Sequence, residues 1–310
     1  RGVGLQSSPD MEQGFIGPSC FMKELTDQIV NITSVPMRSP FRYPGGKTWL
    51  VPHIRRWFAS LPYKPTDLIE PFAGGAIVGL TVAFEQLANH VTLGELDDEV
   101  AAVWQTILSG EGEWLAQKIA SFDLSTATVR TELSKTNLSL REKAFQTILR
   151  NRLNRGGILA PGAGMLKNGD GKGLASRWYP KTLQKRILDI AFIRDRIGFI
   201  KGDGIEILKK NAYRTDIVFF IDPPYTVAGK KAGSRLYTHS ELDHEELFRV
   251  VSTLAGDFLM SYSDDEWVYQ LAQHYNFGVR KVSMKNTHHT KMTELLIGRN
   301  LAWVVDCASP

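Results

Sequence analysis

From Asp67 onward the hydrophobic positions alternate between two periods. Asp67-Leu68-Ile69-Glu70 is a short apolar-centred run that leads into a Gly-rich turn, Pro71-Phe72-Ala73-Gly74-Gly75. The run predicts a strand. After it Ile77, Leu80, Thr81, Phe84 and Leu87 recur at helical spacing on one face. Residues 90–95 predict a second strand, and Val100, Val103, Trp104, Ile107 and Leu108 an amphipathic helix that stops before Gly110. Strand, helix, strand, helix is the opening of a doubly wound parallel sheet, so the fold class is α/β.

Residues 111–189 break that rhythm with helical patterns and loop. Ser139-Leu140-Arg141-Glu142 is a capping box that starts a helix expected to end at Gly156-Gly157. The alternation then resumes with a strand at 199–201 and a short helix at 205–210. Ile217-Val218-Phe219-Phe220-Ile221 has no polar position at all, the pattern of a strand covered on both faces at the centre of a parallel sheet. Ser240-Glu241-Leu242-Asp243 starts another helix, residues 258–260 form a strand, and strands at about 278–284 and 294–304 close the chain as a hairpin. Residues 1–36 lack sustained periodicity and are expected to be a tail, part of it not native, with one short helix near 21–30.

Composition narrows the picture by exclusion. The 310 residues are 43% hydrophobic and 23% charged, with no apolar run near the ~18–20 residues a membrane span needs. Cys20 and Cys307 are far apart and in no metal-binding spacing, which excludes a disulfide scaffold and a structural zinc site and makes a reducing compartment the default. The pair His239 and His244 lacks a third ligand, so no metal is expected. Charge is unevenly spread. Residues 141–186 hold eleven Lys or Arg against Glu142 and Asp170, a net of +9 in a chain of net +4. A loop over 156–173 with seven glycines lies within that stretch. Basic charge beside a backbone that a ligand can approach closely is the pattern of a phosphate-facing surface, and points to nucleic acid.

Three short constellations sit at the turns of the α/β pattern. Phe41-Arg42-Tyr43-Pro44-Gly45-Gly46-Lys47 resembles the end of a P-loop through Gly46-Lys47-Thr48, but the first glycine of that motif is missing and no clear strand precedes it. Glu70 and the Gly-rich turn lie at the carboxyl end of the first strand, where doubly wound sheets bind ligands. The spacing is not that of a dinucleotide site. Glu95 ends the second strand, where an acidic side chain grips ribose hydroxyls in such folds. Asp222-Pro223-Pro224-Tyr225 follows the wholly apolar strand directly. Prolines cannot donate hydrogen bonds, so their carbonyls and the Asp222 carboxylate form an acceptor-only rim suited to an amino group. Tyr225 adds a flat face for stacking a base.

In this order the three motifs resemble motifs X, I and IV of the D12 class (Dam-like, group α) of N6-adenine DNA methyltransferases, over about residues 40–108 and 198–305. The resemblance implies a class I S-adenosylmethionine-dependent methyltransferase fold, Rossmann-like, with a seven-stranded sheet whose final hairpin makes one strand antiparallel. It divides the chain into a tail (1–36), a catalytic domain (37–110 and 190–310) and an inserted, mainly helical target-recognition domain (111–189). Tyr43, Lys47, Glu70, Phe72, Gly74, Gly75, Glu95, Asp203 and Asp222 match positions around S-adenosylmethionine, and Asp222, Pro223, Pro224 and Tyr225 match the catalytic motif. Arg152, Arg155 and Lys172 in the insertion, and Lys230, Lys231 and Arg235 in a basic loop after the catalytic motif, are the expected DNA contacts.

The implied activity is methyl transfer to N6 of adenine in double-stranded DNA, by base flipping and direct in-line displacement. The implied setting is the cytoplasm, with double-stranded DNA as partner and a cognate restriction enzyme as a further partner where such a system exists. The Dam-like recognition segment is replaced here by Arg152-Leu153-Asn154-Arg155-Gly156-Gly157-Ile158-Leu159-Ala160-Pro161, so a recognition sequence other than GATC is expected. Two rival readings are an RNA or protein amide methyltransferase, and a DNA-binding module that has lost catalysis. Asp at position 222, motif X ahead of motif I and the basic insertion weigh against the first; intact Lys47, Glu70 and Asp222 weigh against the second.

Overall fold

The computed structural model describes residues 35–42, 46–160, 163–164, 173–224, 242–285 and 291–304. The expected tail helix and Tyr43, Lys172, Tyr225, Lys230, Lys231 and Arg235 lie outside them. A 3-10 turn at Lys47–Leu50 opens into α1 (Val51–Ser60), then β1 (Asp67–Glu70), α2 (Ile77–Glu85), β2 (His90–Glu95) and α3 (Asp98–Thr106). The insertion holds α4 (Gly112–Ser121), α5 (Thr126–Leu133), α6 (Leu140–Leu153) and α7 (Pro180–Phe192). β3 (Ile197–Lys201), α8 (Gly204–Asn211), β4 (Ile217–Ile221), α9 (His244–Ser252), β5 (Asp257–Ser263), α10 (Glu266–His274), β6 (Gly278–Lys285) and β7 (Lys291–Gly298) complete the chain.

The strands form one sheet in the order β3-β2-β1-β4-β5-β7-β6. β1 to β5 are mutually parallel, while β7 pairs antiparallel with both β5 and β6. This is the class I methyltransferase sheet, as expected. β4 is buried at every position, and its side chains alternate between two cores. Val218 and Phe220 join one cluster and Ile217, Phe219 and Ile221 the other, which is why the strand has no polar face. Strand order reverses between β1 and β4, so a crevice is expected outside their carboxyl ends.

Helix starts carry side-chain acceptors for their free N–H groups. Asp97 accepts from the Glu99 and Val100 N–H groups, and Asp203 and Asp243 cap α8 and α9 in the same way. The Ser139 N–H donates to the Glu142 carboxylate at 2.9 Å, closing the box that starts α6. Several boundaries differ from the sequence reading, among them that the chain continues past Gly110 through a wide helical turn at Ile107–Glu111 into α4. α6 ends at Leu153, because Asn154 turns to extended backbone before the glycines. α9 starts after Asp243, where the cap sits. The last strand is Lys291–Gly298 rather than 294–304, since Gly298 ends the pairing and Leu301 folds back as a core residue.

Among the described residues, the insertion shares its core with the sheet. Leu115, Ile119, Phe145, Ile148, Leu149, Leu183 and Ile187 belong to the same buried cluster as Leu68, Val91, Val218 and Leu296 of the sheet. Among the described residues no helix is long and apolar enough to cross a membrane.

Candidate active site

The carboxyl end of β1 builds the first part of the site. Glu70 is buried, and its Oε2 accepts from the Gly79 N–H at 2.7 Å in α2. Any side chain at 79 would collide with that carboxyl group and with Leu93, so glycine is required inside a helix where it otherwise weakens the turn. Burial pushes the Glu70 carboxyl well above the usual range, and the negative charge of Asp222 adds to the shift.

The turn after β1 is tied to the end of β2. The Ala73 N–H donates to the Gly94 carbonyl at 2.8 Å, and the Gly74 N–H to Glu95 Oε2 at 3.0 Å. Gly74 adopts positive φ and its carbonyl accepts from the buried Trp104 indole at 2.9 Å. Glu95 Oε1 also accepts from the Leu96 and Asp97 N–H groups, at 2.8 and 2.9 Å. Burial outweighs these three donors and lifts the Glu95 carboxyl to about 7. A carboxylate has about four acceptor positions, so capacity remains for a hydroxyl donor. The Gly202 N–H, just past β3, donates to the Glu95 carbonyl at 3.0 Å. Phe72 lies against Gly204 at the start of α8, where a larger residue would overlap its ring. One oxygen of Asp203 caps that helix, accepting from the Glu206 N–H at 3.1 Å.

The second part gathers at the end of β4. Asp222 Oδ1 lies 3.2 Å from Lys47 Nζ and accepts from the Ser261 hydroxyl of β5 at 2.8 Å. Lys47 is only 4% exposed and also meets Glu294 of β7, at 3.1 and 3.4 Å to its two oxygens. Its two carboxylates hold Lys47 above the usual range against the pull of burial. Burial raises the Glu294 carboxyl; Lys47 opposes and Asp222 adds to that rise. The structure therefore brings Lys47, Glu70 and Asp222 into one electrostatic group, and Glu95, Phe72, Gly74 and Asp203 around the neighbouring strand ends. Glu294 and Ser261 escaped the sequence reading. A glutamate in the run Glu294-Leu295-Leu296-Ile297 was the available signal, since a charge entering a buried strand needs a partner.

The basic stretch needs correction. Arg152, expected to contact DNA, is 4% exposed and donates to the Pro40 carbonyl at 2.5 Å. Desolvation, then repulsion from Arg186 and Arg42, lowers its guanidinium to about 10. Arg141, Lys143, Arg150 and Lys185 pair with Glu111, Asp98, Glu99 and Asp189, acids that lie outside the basic window in sequence. Folding thus neutralises part of a charge that looked unopposed along the chain. Arg155 remains exposed beside the Gly-rich loop.

A family model described as D12 class N6 adenine-specific DNA methyltransferase matches residues 43–287. Among curated proteins none matches the sequence. Among solved structures, the rRNA methyltransferase AviRa from Streptomyces viridochromogenes is 16% identical with a TM-score of 0.39, over 86% of this chain and 90% of that one. Precorrin-6y C5,15-methyltransferase from Geobacter metallireducens is 8% identical with a TM-score of 0.34, over 79% of this chain and 85% of that one. The family match spans most of the chain, including the residues of both strand-end clusters except Glu294, and by it this protein belongs to the D12 class of N6 adenine-specific DNA methyltransferases.

Proposed function

We propose that this methyltransferase transfers a methyl group from S-adenosylmethionine to N6 of adenine in double-stranded DNA. The observation that carries the reading is the Asp222 carboxylate, fixed by Lys47 and Ser261 at the mouth of the central buried strand and followed by Pro223 and Pro224. The donor set around the neighbouring strand ends fits the cofactor. Glu95 is the acceptor for a ribose hydroxyl, Gly74 and Gly75 permit close approach, and Phe72 with Asp203 flanks the adenine position. When bound, the cofactor supplies an electrophilic methyl group on a sulfonium.

N6 of adenine is a weak nucleophile because its lone pair is delocalised into the ring. It is also buried in the base stack, so the base has to leave the duplex. Asp222 and the Pro223 carbonyl accept hydrogen bonds from the two N–H groups and draw the nitrogen towards tetrahedral geometry; once methylated, the nitrogen gives up one of these protons to solvent. Tyr225, outside the described residues, stacks on the base. Catalysis is then positioning and electrostatics, with no covalent enzyme intermediate. The insertion 111–189 reads the sequence, with Arg155 as its guanine or phosphate contact and a site other than GATC.

The test is methylome sequencing of a Dam-deficient host expressing the chain, beside methyl transfer in vitro to duplex DNA and to RNA. Methyl-adenine at a defined non-GATC motif is expected. Asp222→Ala is expected to abolish transfer while S-adenosylmethionine binds within about tenfold of wild type, since the carboxylate serves the target amine. Methylation of RNA alone, or full activity in the variant, refutes the reading.

A further inference from the structure

Glu294 is a buried carboxylate placed where one other acid, Asp222, already pairs with a buried cation, Lys47. It enters from β7, opposite Ser263 of β5 and Val282 of β6 in the ladder. Both of its oxygens are close to Lys47 Nζ, at 3.1 and 3.4 Å, and the same ammonium is 3.2 Å from Asp222 Oδ1. The two carboxylates come from strands that are 72 residues apart in sequence, by the positions of Asp222 and Glu294. The ammonium between them is nearly sealed from solvent.

Stability does not account for this arrangement. A third acid beside Glu70 and Asp222 adds desolvation and like-charge repulsion, and buried ion pairs of this kind are often no better than apolar packing. β7 is otherwise apolar over Leu295, Leu296 and Ile297, so a hydrophobic residue at 294 would suit the fold.

We propose that Glu294 is a positioning residue for methyl transfer: its carboxylate anchors the Lys47 ammonium, by an ion pair and a hydrogen bond to Oε1, so that Lys47 orients Asp222 without neutralising it. Charge balance explains the need. With one carboxylate, the ammonium would close on Asp222 and compete with the target amine for its lone pairs. With two, the ammonium is shared, and Asp222 keeps acceptor strength for the N6 hydrogens. The role acts through Lys47 and involves no contact with substrate. It rests on the reading of Asp222 as the acceptor for the target amine.

The experiment compares wild type, Glu294→Gln, Glu294→Asp, Lys47→Met and the Lys47→Met/Glu294→Gln double variant in single-turnover methyl transfer. Melting temperatures and S-adenosylmethionine binding are measured on each. Glu294→Gln is expected to lower the transfer rate at least about tenfold with KM for cofactor and nucleic acid within about threefold, the mark of an interaction that matters in the transition state. Glu294→Asp keeps the charge and is expected to recover part of that loss. In the Lys47→Met background, Glu294→Gln is expected to cost nothing further, because its route through the ammonium is gone.

A Glu294→Gln rate within about twofold of wild type overturns the proposal. So does an Asp variant no better than Gln, or an equal loss in the Lys47→Met background. Should Glu294→Gln not fold, the Asp variant decides alone: it must fold and retain a rate below wild type with unchanged KM. The ratios are taken on whichever nucleic acid the wild type methylates. An enzyme active on RNA and not on DNA therefore refutes the substrate reading, while the ratios still decide on Glu294.

Discussion

Asn151 offers the sharpest test of how the insertion is joined to the site. It is fully buried in α6, and its amide closes three hydrogen bonds to backbone. Oδ1 accepts from the Arg42 N–H at 2.8 Å, while Nδ2 donates to the Arg42 carbonyl at 2.9 Å and the Gly157 carbonyl at 2.7 Å. One side chain thus clamps the segment that leads into Lys47 against the Gly-rich turn after α6. Asn151→Ala removes all three bonds and strands three backbone groups. Each lost neutral bond is worth about 1 kcal/mol and each stranded buried group about 1–3 kcal/mol, so with partial relaxation a loss of about 3–5 kcal/mol is expected. At an m-value of about 3 kcal/mol/M, the urea midpoint falls by about 1–1.7 M. Asn151→Asp is the sterner control because it keeps the shape. It retains the acceptor for Arg42 N–H but turns an acceptor towards two carbonyls, and it is expected to be at least as damaging at pH 8 as alanine. Equilibrium urea unfolding followed by tryptophan fluorescence measures both. An aspartate variant with the wild-type midpoint at pH 8 would show that the clamp does not carry the junction.

Two further predictions concern charge. Glu95 titrates at about 7 in the folded chain against an ordinary 4.5, so between those values the native state binds the extra proton and folding stability falls as pH rises. Hydroxyl donors favour the carboxylate, so S-adenosylmethionine binding is expected to tighten as pH rises through about 7; calorimetry from pH 6 to 8 checks this, Glu95→Gln should flatten both trends, and a pH-independent wild-type Kd would refute the assignment. Arg155→Ala is expected to lower the slope of log K against log salt for DNA binding by about one, whereas Arg152→Ala should lower the melting temperature and leave that slope unchanged. The reverse pattern would put Arg152 on the DNA.

The parts of the fold legible in sequence are those where one residue type admits one environment. The apolar run Ile217–Ile221 reads as a central strand because both cores need its side chains. Ser139 and Glu142 mark a helix start because they bond to each other there. Glu70 and Glu95 end β1 and β2, and Asp222 follows β4 directly, where the chain pattern puts them. Contacts made across the chain were not legible. Glu294 reaches Lys47 across 247 positions, and Asn151 reaches Arg42 across 109. No local period encodes such a pairing. The basic window misled for the same reason: Arg150 meets Glu99 only once α6 packs beside α3, and Arg152 turns inward to Pro40.

That inward turn bears on what the insertion is. Arg152 and Arg186 donate to the carbonyls of Pro40 and Ser39, and Asn151 takes both polar groups of Arg42. Ser39, Pro40 and Arg42 ahead of the site are therefore gripped by α6 and α7, while Phe41 among them packs against Trp104 of α3 at 5.8 Å between ring centroids. Trp104 in turn holds the Gly74 carbonyl in the turn after β1. Gly157 cannot bear a side chain because the Arg42 backbone occupies its place, and its positive φ suits glycine alone. Excising 111–189 would leave these carbonyls, one buried ring and the apolar faces of α3 and the sheet without cover. The helices between α3 and β3 are thus also structural walls of the sheet, which is why one buried cluster holds residues of both.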